Sequence, residues 1–454
     1  MIAVVQVVNI HLQAHAFIHI ACYKASGNAL SSTCNLFRDI TGANSLLWYP
    51  PIVEATSSPV GIDSNMRIYM DANATTPLLP EVAEAMYPFW MQDFGNASSI
   101  HLDGQKSRIA VDHARQILST FFNCHEAEVV FNSGGTEGDN TAIFGLLHPG
   151  DHLITTSIEH SAVLQAAERL ALRGVAVTYI APEPSGLIDP AAIEAAIRPE
   201  TRLISMMLAN NETGVLQPVE AVGKLATDKG IYFHIDAVQG AGKVPLDIRR
   251  IGCHLLSISA HKMHGPKGVG AIFVRRGTPV ESLLVGGSHE RRRRAGTENV
   301  PGIVGLGRAA ELAMKSLTDD TMEHLATLRD RLQSGILALP GTGLNGRMPD
   351  GKSAPRAANT TNIWFDNLEG EALVIALDLK GVAVSGGSAC HSGATEPSHV
   401  LMAMGLNKTR ARASIRFSLL KTATDNEIDH VLGIVPEVVE KLRAISPVMA
   451  GTLG

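Results

Sequence analysis

Residues 232–268 read YFHIDAVQGAGKVPLDIRRIGCHLLSISAHKMHGPKG, and their reading decides the fold. One apolar run, 232–235, stops at Asp236; a second, 255–258, stops at Ser259, His261 and Lys262 before a Gly/Pro turn. Short apolar runs bounded by turn residues suit strands covered on both faces. Both deliver polar side chains at their carboxyl ends, where open parallel sheets bind ligands. A lysine just beyond a buried strand can be desolvated, which frees its amine for Schiff-base chemistry. For a lone lysine, a plain surface loop is the competing reading. Asp236, 26 residues before Lys262, suits a carboxylate that pairs with a pyridinium nitrogen, although by itself it reads equally as a helix cap.

Outward from this stretch, strand-length apolar runs recur at 129–131, 152–156, 175–180, 202–208 and 270–274. Helix-like segments at 107–122, 137–147, 161–172, 190–197 and 219–229 separate most of them. Alternating strands and helices indicate an α/β domain with a mainly parallel sheet. A long amphipathic stretch, 303–339, then leads to strand signals at 361–365 and 382–384 and helical periodicity at 370–379 and 426–445. The expected organisation is a poorly ordered extension at 1–66, a segment 67–79 packing with the small domain, a large α/β domain at 80–320, and a smaller α+β domain at 321–454.

The 454 residues are 45% hydrophobic and 18% charged, which supports a large core and argues against disorder. With 38 basic and 44 acidic side chains the net charge is −6, so a broadly basic nucleic-acid surface is not expected. Five scattered cysteines (Cys22, Cys34, Cys124, Cys253, Cys390) form no CxxC pair, which fits a reducing, cytoplasmic compartment. No stretch reads as a membrane span, and residues 1–23 lack the basic start of a secretory signal. His11, His15 and His19 have helical spacing, but no carboxylate or cysteine completes a metal set, so a chance spacing is favoured. Met66 stands just before the first convincing strand and is the expected native start.

Two further blocks carry chemistry. In residues 131–140, FNSGGTEGDN, a strand runs through glycines into a helix start, where backbone N–H groups and Thr136 can hold a phosphate. In residues 384–393, VSGGSACHSG, Cys390 sits in a Ser/Gly-rich loop without an apolar pattern around it. An exposed thiol on a mobile loop suits a nucleophile that travels to its substrate.

Together these blocks resemble the cysteine desulfurases of the NifS/IscS branch, which are fold-type-I, pyridoxal phosphate (PLP)-dependent enzymes of the class V aminotransferase family. The resemblance spans residues 67–447 and includes YMDANATTP (69–77), NSGGTEGDN (132–140), IEHSAV (158–163), NNETG (210–214), HIDAVQ (234–239), SAHKMHGPKG (259–268), RAGTEN (294–299), SGGSACHSGATEPSHVL (385–401) and SIRFSL (414–419). It implies a large domain with a mainly parallel seven-stranded sheet and a smaller C-terminal α+β domain carrying the cysteine loop. It implies that Lys262 binds PLP as a Schiff base, His160 stacks on the ring, Asp236 pairs with the ring nitrogen and Gln239 contacts the ring oxygen. Gly135, Thr136, Ser259 and His261 would hold the phosphate, with Thr297 supplied by the second subunit of a homodimer. Arg416 would grip the substrate carboxylate, with Asn211 beside it and the cofactor.

The implied reaction removes sulfur from L-cysteine, leaving L-alanine and a persulfide on Cys390. An iron–sulfur scaffold or another thiolation acceptor would then receive the sulfur. No resident metal is implied, and Cys390 alone would contact a transferred cluster. Selenocysteine lyase, another class V aminotransferase, and a non-enzymatic sulfur-relay scaffold are the alternatives; Cys390 argues against a plain aminotransferase, and the intact Lys262, Asp236 and Cys390 set argues against a scaffold. The chain departs from the family at Leu420, where Gly is usual, at His289, where Gln is common, and at His391, where Thr or Ser is commoner. The run Arg291–Arg294 reads as a solvated loop near the dimer interface or cofactor phosphate.

Overall fold

The computed structural model describes residues 67–386 and 396–445. The segment 1–66 with its spaced histidines, the stretch bearing Cys390 and His391, and residues 446–454 lie outside the described residues. The chain enters through β1 (Ile68–Tyr69), α1 (Pro80–Met91) and α2 (Leu102–Phe122). Seven strands then build the large sheet: β2 (Val129–Asn132), β3 (His152–Thr156), β4 (Ala176–Ile180), β5 (Thr201–Met207), β6 (Tyr232–Asp236), β7 (Leu255–Ser259) and β8 (Gly270–Val274). Their order is β2-β8-β7-β6-β5-β3-β4.

Only β8 runs against its neighbours, pairing antiparallel with both β7 and β2. The cause is the short connection after β7. Parallel neighbours need a crossover of a dozen or more residues, and 260–269 is a tight turn. Helices α3 (Gly135–Leu146), α4 (Ser161–Ala171), α5 (Pro190–Ala195), α6 (Val219–Lys229) and α7 (Ile248–Ile251) connect the strands. Alternate side chains of each strand enter opposite cores: Leu255 and Ile272 join Ile143 and Val163, whereas Leu256 and Phe273 join Val111 and Phe233. Burial on both faces explains why these strands read as continuous apolar runs. The strand order turns back at β3, which lies between β4 and β5, and a ligand crevice is expected at the carboxyl ends there.

The amphipathic stretch after residue 300 is two helices, α8 (Val300–Thr318) and α9 (Thr321–Leu337), not one. Asp319 breaks it: its backbone is extended at the end of the first helix, and its carboxylate accepts from Thr321 N at 3.0 Å in the turn that opens the second. A second sheet follows, β12-β13-β10-β9, built from β9 (Thr342–Leu344), β10 (Thr360–Phe365), β12 (Ser385–Gly386) and β13 (Ser414–Ser418). Short β11 (Val382–Ala383) pairs parallel with β1, which ties the start of the described chain to this region. Helices α9, α10 (Gly370–Leu379) and α13 (Asp425–Ile445) enclose its core, in which Leu332, Leu373, Phe417 and Val435 are buried. Between them, α11 (His399–Ala403) and α12 (Lys408–Arg412) send Val400, Leu401 and Ala411 into the core of the large sheet. Residues 396–413 therefore pack across the sequence boundary expected near 320.

Candidate active site

The carboxyl ends of β5, β6 and β7, the residue capping α4 and the first turn of α3 face one cavity of ≈ 380 Å³. Gly135, Thr136, His160, Asn211, Asp236, Gln239, Ser259, His261, Lys262 and Arg416 all line it. Thr297 does not; within this chain it lines a separate cavity of ≈ 130 Å³ with Arg294 and Asn299. Cys390 lies outside the described residues.

Each wall has a local cause. Lys262 ends a single tight helical turn after β7, and its Nζ donates to the carbonyls of Asn73 (2.5 Å) and Ala74 (2.7 Å). His261 Nδ1 lies 3.1 Å from Thr75 Oγ1. Asp236 is the last residue of β6, and its Oδ1 accepts from Val238 N at 2.9 Å. Burial, then the Asp139 carboxyl, push Asp236 up to about 7, while His160 opposes the rise. His160 caps α4 by accepting from Ala162 N at Nδ1 (3.1 Å), and burial lowers its pKa, so the imidazole is neutral at pH 7 with its proton on Nε2. Burial and the neighbouring Lys262 likewise bring His261 down to about 4.

On the far wall, Arg416 in β13 is 4% exposed. Its Nη1 donates to Asn211 O (3.0 Å) and its Nη2 to Asp71 (2.6 Å), while its buried Nε has no partner. Asn210 Oδ1 closes the turn that presents Asn211 by accepting from Glu212 N and Thr213 N. At the other end, Gly134 caps α3 with φ +144°, and a Cβ there would stand 3.4 Å from Ser259 Oγ. The positive φ is what calls for glycine, and it sets a helix N-terminus beside a serine hydroxyl, which suits an anion. A carboxylate, an imidazole, a lysine amine and a helix N-terminus around one cavity fit PLP.

Sequence reading missed Asp71, Asn73, Asp139 and Lys243. The first two sit in the polar block 69–77, whose density of Asp, Asn and Thr directly after a strand was the available signal. The basic run is only partly solvated. Arg291 and Arg292 are exposed, but Arg293 is half-buried and Arg294 pairs with Glu137 in the first turn of α3 at 2.9 Å. At Leu420 φ is not positive, so the backbone there does not require glycine. His289 Nδ1 is buried without a partner, and its Nε2 lies 3.9 Å from Glu298. Among the described residues, no helix is long and apolar enough to cross a membrane, and no cluster of three His, Cys, Asp or Glu could hold a metal.

A mainly parallel α/β sheet with a lysine at a strand end and a facing buried carboxylate defines the class, and the aminotransferase class-V family model matches residues 68–431. Cysteine desulfurase IscS of Methanosarcina thermophila is 46% identical over 387 residues, covering 84% of this chain and 94% of that protein. A solved NifS-like protein superposes with a TM-score of 0.77 at 35% identity, covering 83% of this chain and all of its own. SspA, solved in complex with cysteine, matches with a TM-score of 0.68 at 34% identity, covering 78% and 99% of the two chains. The chain belongs to the class-V aminotransferase family, in its cysteine desulfurase branch. PLP is the cofactor of that family.

Proposed function

We propose that this chain removes sulfur from L-cysteine with PLP held in the ≈ 380 Å³ cavity, leaving L-alanine and a persulfide on Cys390. The observation that carries the reading is the convergence of Lys262, Asp236, His160 and Arg416 on that one space. PLP supplies an electron sink for the charge left when the substrate loses its Cα proton. Lys262 would hold the cofactor through Nζ, and the same amine would take and return that proton. Asp236 would bind the ring nitrogen, where a cation would hold the carboxylate ionised against the burial that raises its pKa. Neutral His160 would cover the ring and pass a proton through Nε2. Arg416 binds the substrate carboxylate through its unpartnered Nε and a terminal nitrogen.

The Cys390 thiolate attacks the substrate sulfur, the C–S bond breaks, and the sulfur stays on Cys390. The described flanks of its segment support this role. Ser385 pairs with Arg416 across β12 and β13, and Ser398 donates to Glu212, the neighbour of Asn211, at 2.5 Å. The assembly we propose is a cytoplasmic homodimer in which Thr297 reaches the partner's cofactor phosphate and an iron–sulfur scaffold receives the sulfur.

Purified protein given PLP is expected to turn yellow and release sulfide from L-cysteine with dithiothreitol. Cys390→Ser should keep the colour and lose sulfide release; Lys262→Ala should lose the lysine-bound absorbance. A wild-type protein that stays colourless with PLP overturns the reading, and turnover of selenocysteine alone replaces it with a lyase.

A further inference from the structure

A second lysine stands beside Lys262, and the chemistry above leaves it unused. Lys243 follows Gln239 by four residues in a run of hydrogen-bonded turns, with Ala241 N bonded to Ala237 O at 2.8 Å and Val244 N to Gly240 O at 3.0 Å. That spacing puts both side chains on one face. Lys243 Nζ donates to Gln239 Oε1 at 2.8 Å and to Asn73 Oδ1 at 3.0 Å. It joins no ion pair among the described residues and opens onto a small cavity of ≈ 40 Å³ that Lys262 also lines. Burial, then Lys262 and Arg416, push it down to about 7. Holding a lysine in such a place without a carboxylate is costly, so its two hydrogen bonds matter.

Those bonds set the orientation of a cavity group. Lys243 Nζ donates to Gln239 Oε1 while Gln239 Nε2 faces the Asn73 carbonyl, which only accepts, so the amide turns its oxygen to Lys243 and its nitrogen away. Gln239 Nε2 then gives one hydrogen to Asn73 O at 2.8 Å, and its second remains for the cavity that Gln239 lines. The same Asn73 carbonyl accepts from Lys262 Nζ. Without Lys243, the amide is held in that orientation by the Asn73 carbonyl alone, and its oxygen is left without a donor.

Resting on the reading of the cavity as a PLP site, we infer that Lys243 is a positioning residue. Together with the Asn73 carbonyl, it holds the Gln239 amide with its N–H side toward the cofactor's ring oxygen. The test is a double-mutant cycle read by PLP binding to apo-protein and by the visible absorbance maximum of the bound cofactor. Lys243→Met and Gln239→Ala should each weaken PLP binding about tenfold and shift the maximum the same way, and the double variant should match Gln239→Ala within about twofold. Lys243→Gln, whose amide still donates to Oε1, should bind within about threefold of wild type, and it carries the test if the Met variant does not fold. Wild-type affinity and absorbance in Lys243→Met, effects that multiply in the double variant, or a Lys243→Gln as weak as Gln239→Ala overturns the inference. If wild type binds no PLP, the reading of the cavity falls first. If only the cycle fails, that reading stands and Lys243 is merely structural.

Discussion

Arg416 shows at the residue scale why side-chain chemistry and setting both matter. Its guanidinium is fixed by Asn211 O and Asp71 and leaves one buried donor unpartnered. Lysine keeps the charge but cannot supply a planar fork, so Arg416→Lys should raise KM for L-cysteine about tenfold or more with a smaller change in kcat, measured by initial rates of alanine formation. Asp236→Asn keeps the shape and removes the charge that stabilises a protonated ring nitrogen. It should lower kcat by about a hundredfold or more while cofactor is still bound. Equal kcat in that variant would remove Asp236 from the chemistry. Asp236 and Lys262 were legible because one closes a strand and the other follows a strand by three residues, each with its polarity out of step with the apolar run. Lys243 and Asn73 were not: their contact joins positions 170 residues apart, and no local pattern marks it.

Local rules at the element scale placed strand and helix cores well and their ends less well. β3 and β8 begin and end where the apolar runs do, as does α6. α2 instead starts at Leu102, five residues before its sequence signal, because His101 Nδ1 accepts from Gly104 N and caps a polar first turn that periodicity alone ignores. The N-terminus of α3 carries a sharper dependence. Gly134 holds φ +144° and ψ −174°, a conformation that L-residues rarely adopt. Gly134→Ala should cost about 1–3 kcal/mol in urea unfolding and weaken PLP binding, since relieving the strain moves the first-turn N–H groups. Unchanged stability and binding would show that the helix N-terminus tolerates a side chain there.

Over the whole molecule, one buried ion pair ties the 288–294 segment to the large sheet. Arg115 meets Glu290 in a two-pronged contact at 2.6 and 2.8 Å with both side chains under 5% exposed, and Glu290 also accepts from Phe131 N. Glu290→Ala strands the arginine and should cost about 3–5 kcal/mol, measured by denaturant midpoint. Glu159 adds a pH dependence. Burial pushes its carboxyl up to about 8 from an ordinary 4.5, so the folded chain keeps a proton that the unfolded chain releases. Its contribution to stability is full below pH 4.5 and is lost as pH rises toward 8. Glu159→Gln should flatten the fall in Tm across that window, and an unchanged slope would assign the proton elsewhere. The sequence by itself determined the alternation of strands and helices, the polar residues closing β6 and β7, and the glycine turn before α3, because each depends on neighbours close in the chain. Tertiary structure alone decided that β8 runs backward, that residues 396–413 pack on the large core, and that Asn73 meets Lys243 and Lys262. Those outcomes depend on which distant surfaces meet, and packing settles that only when the chain has closed on itself.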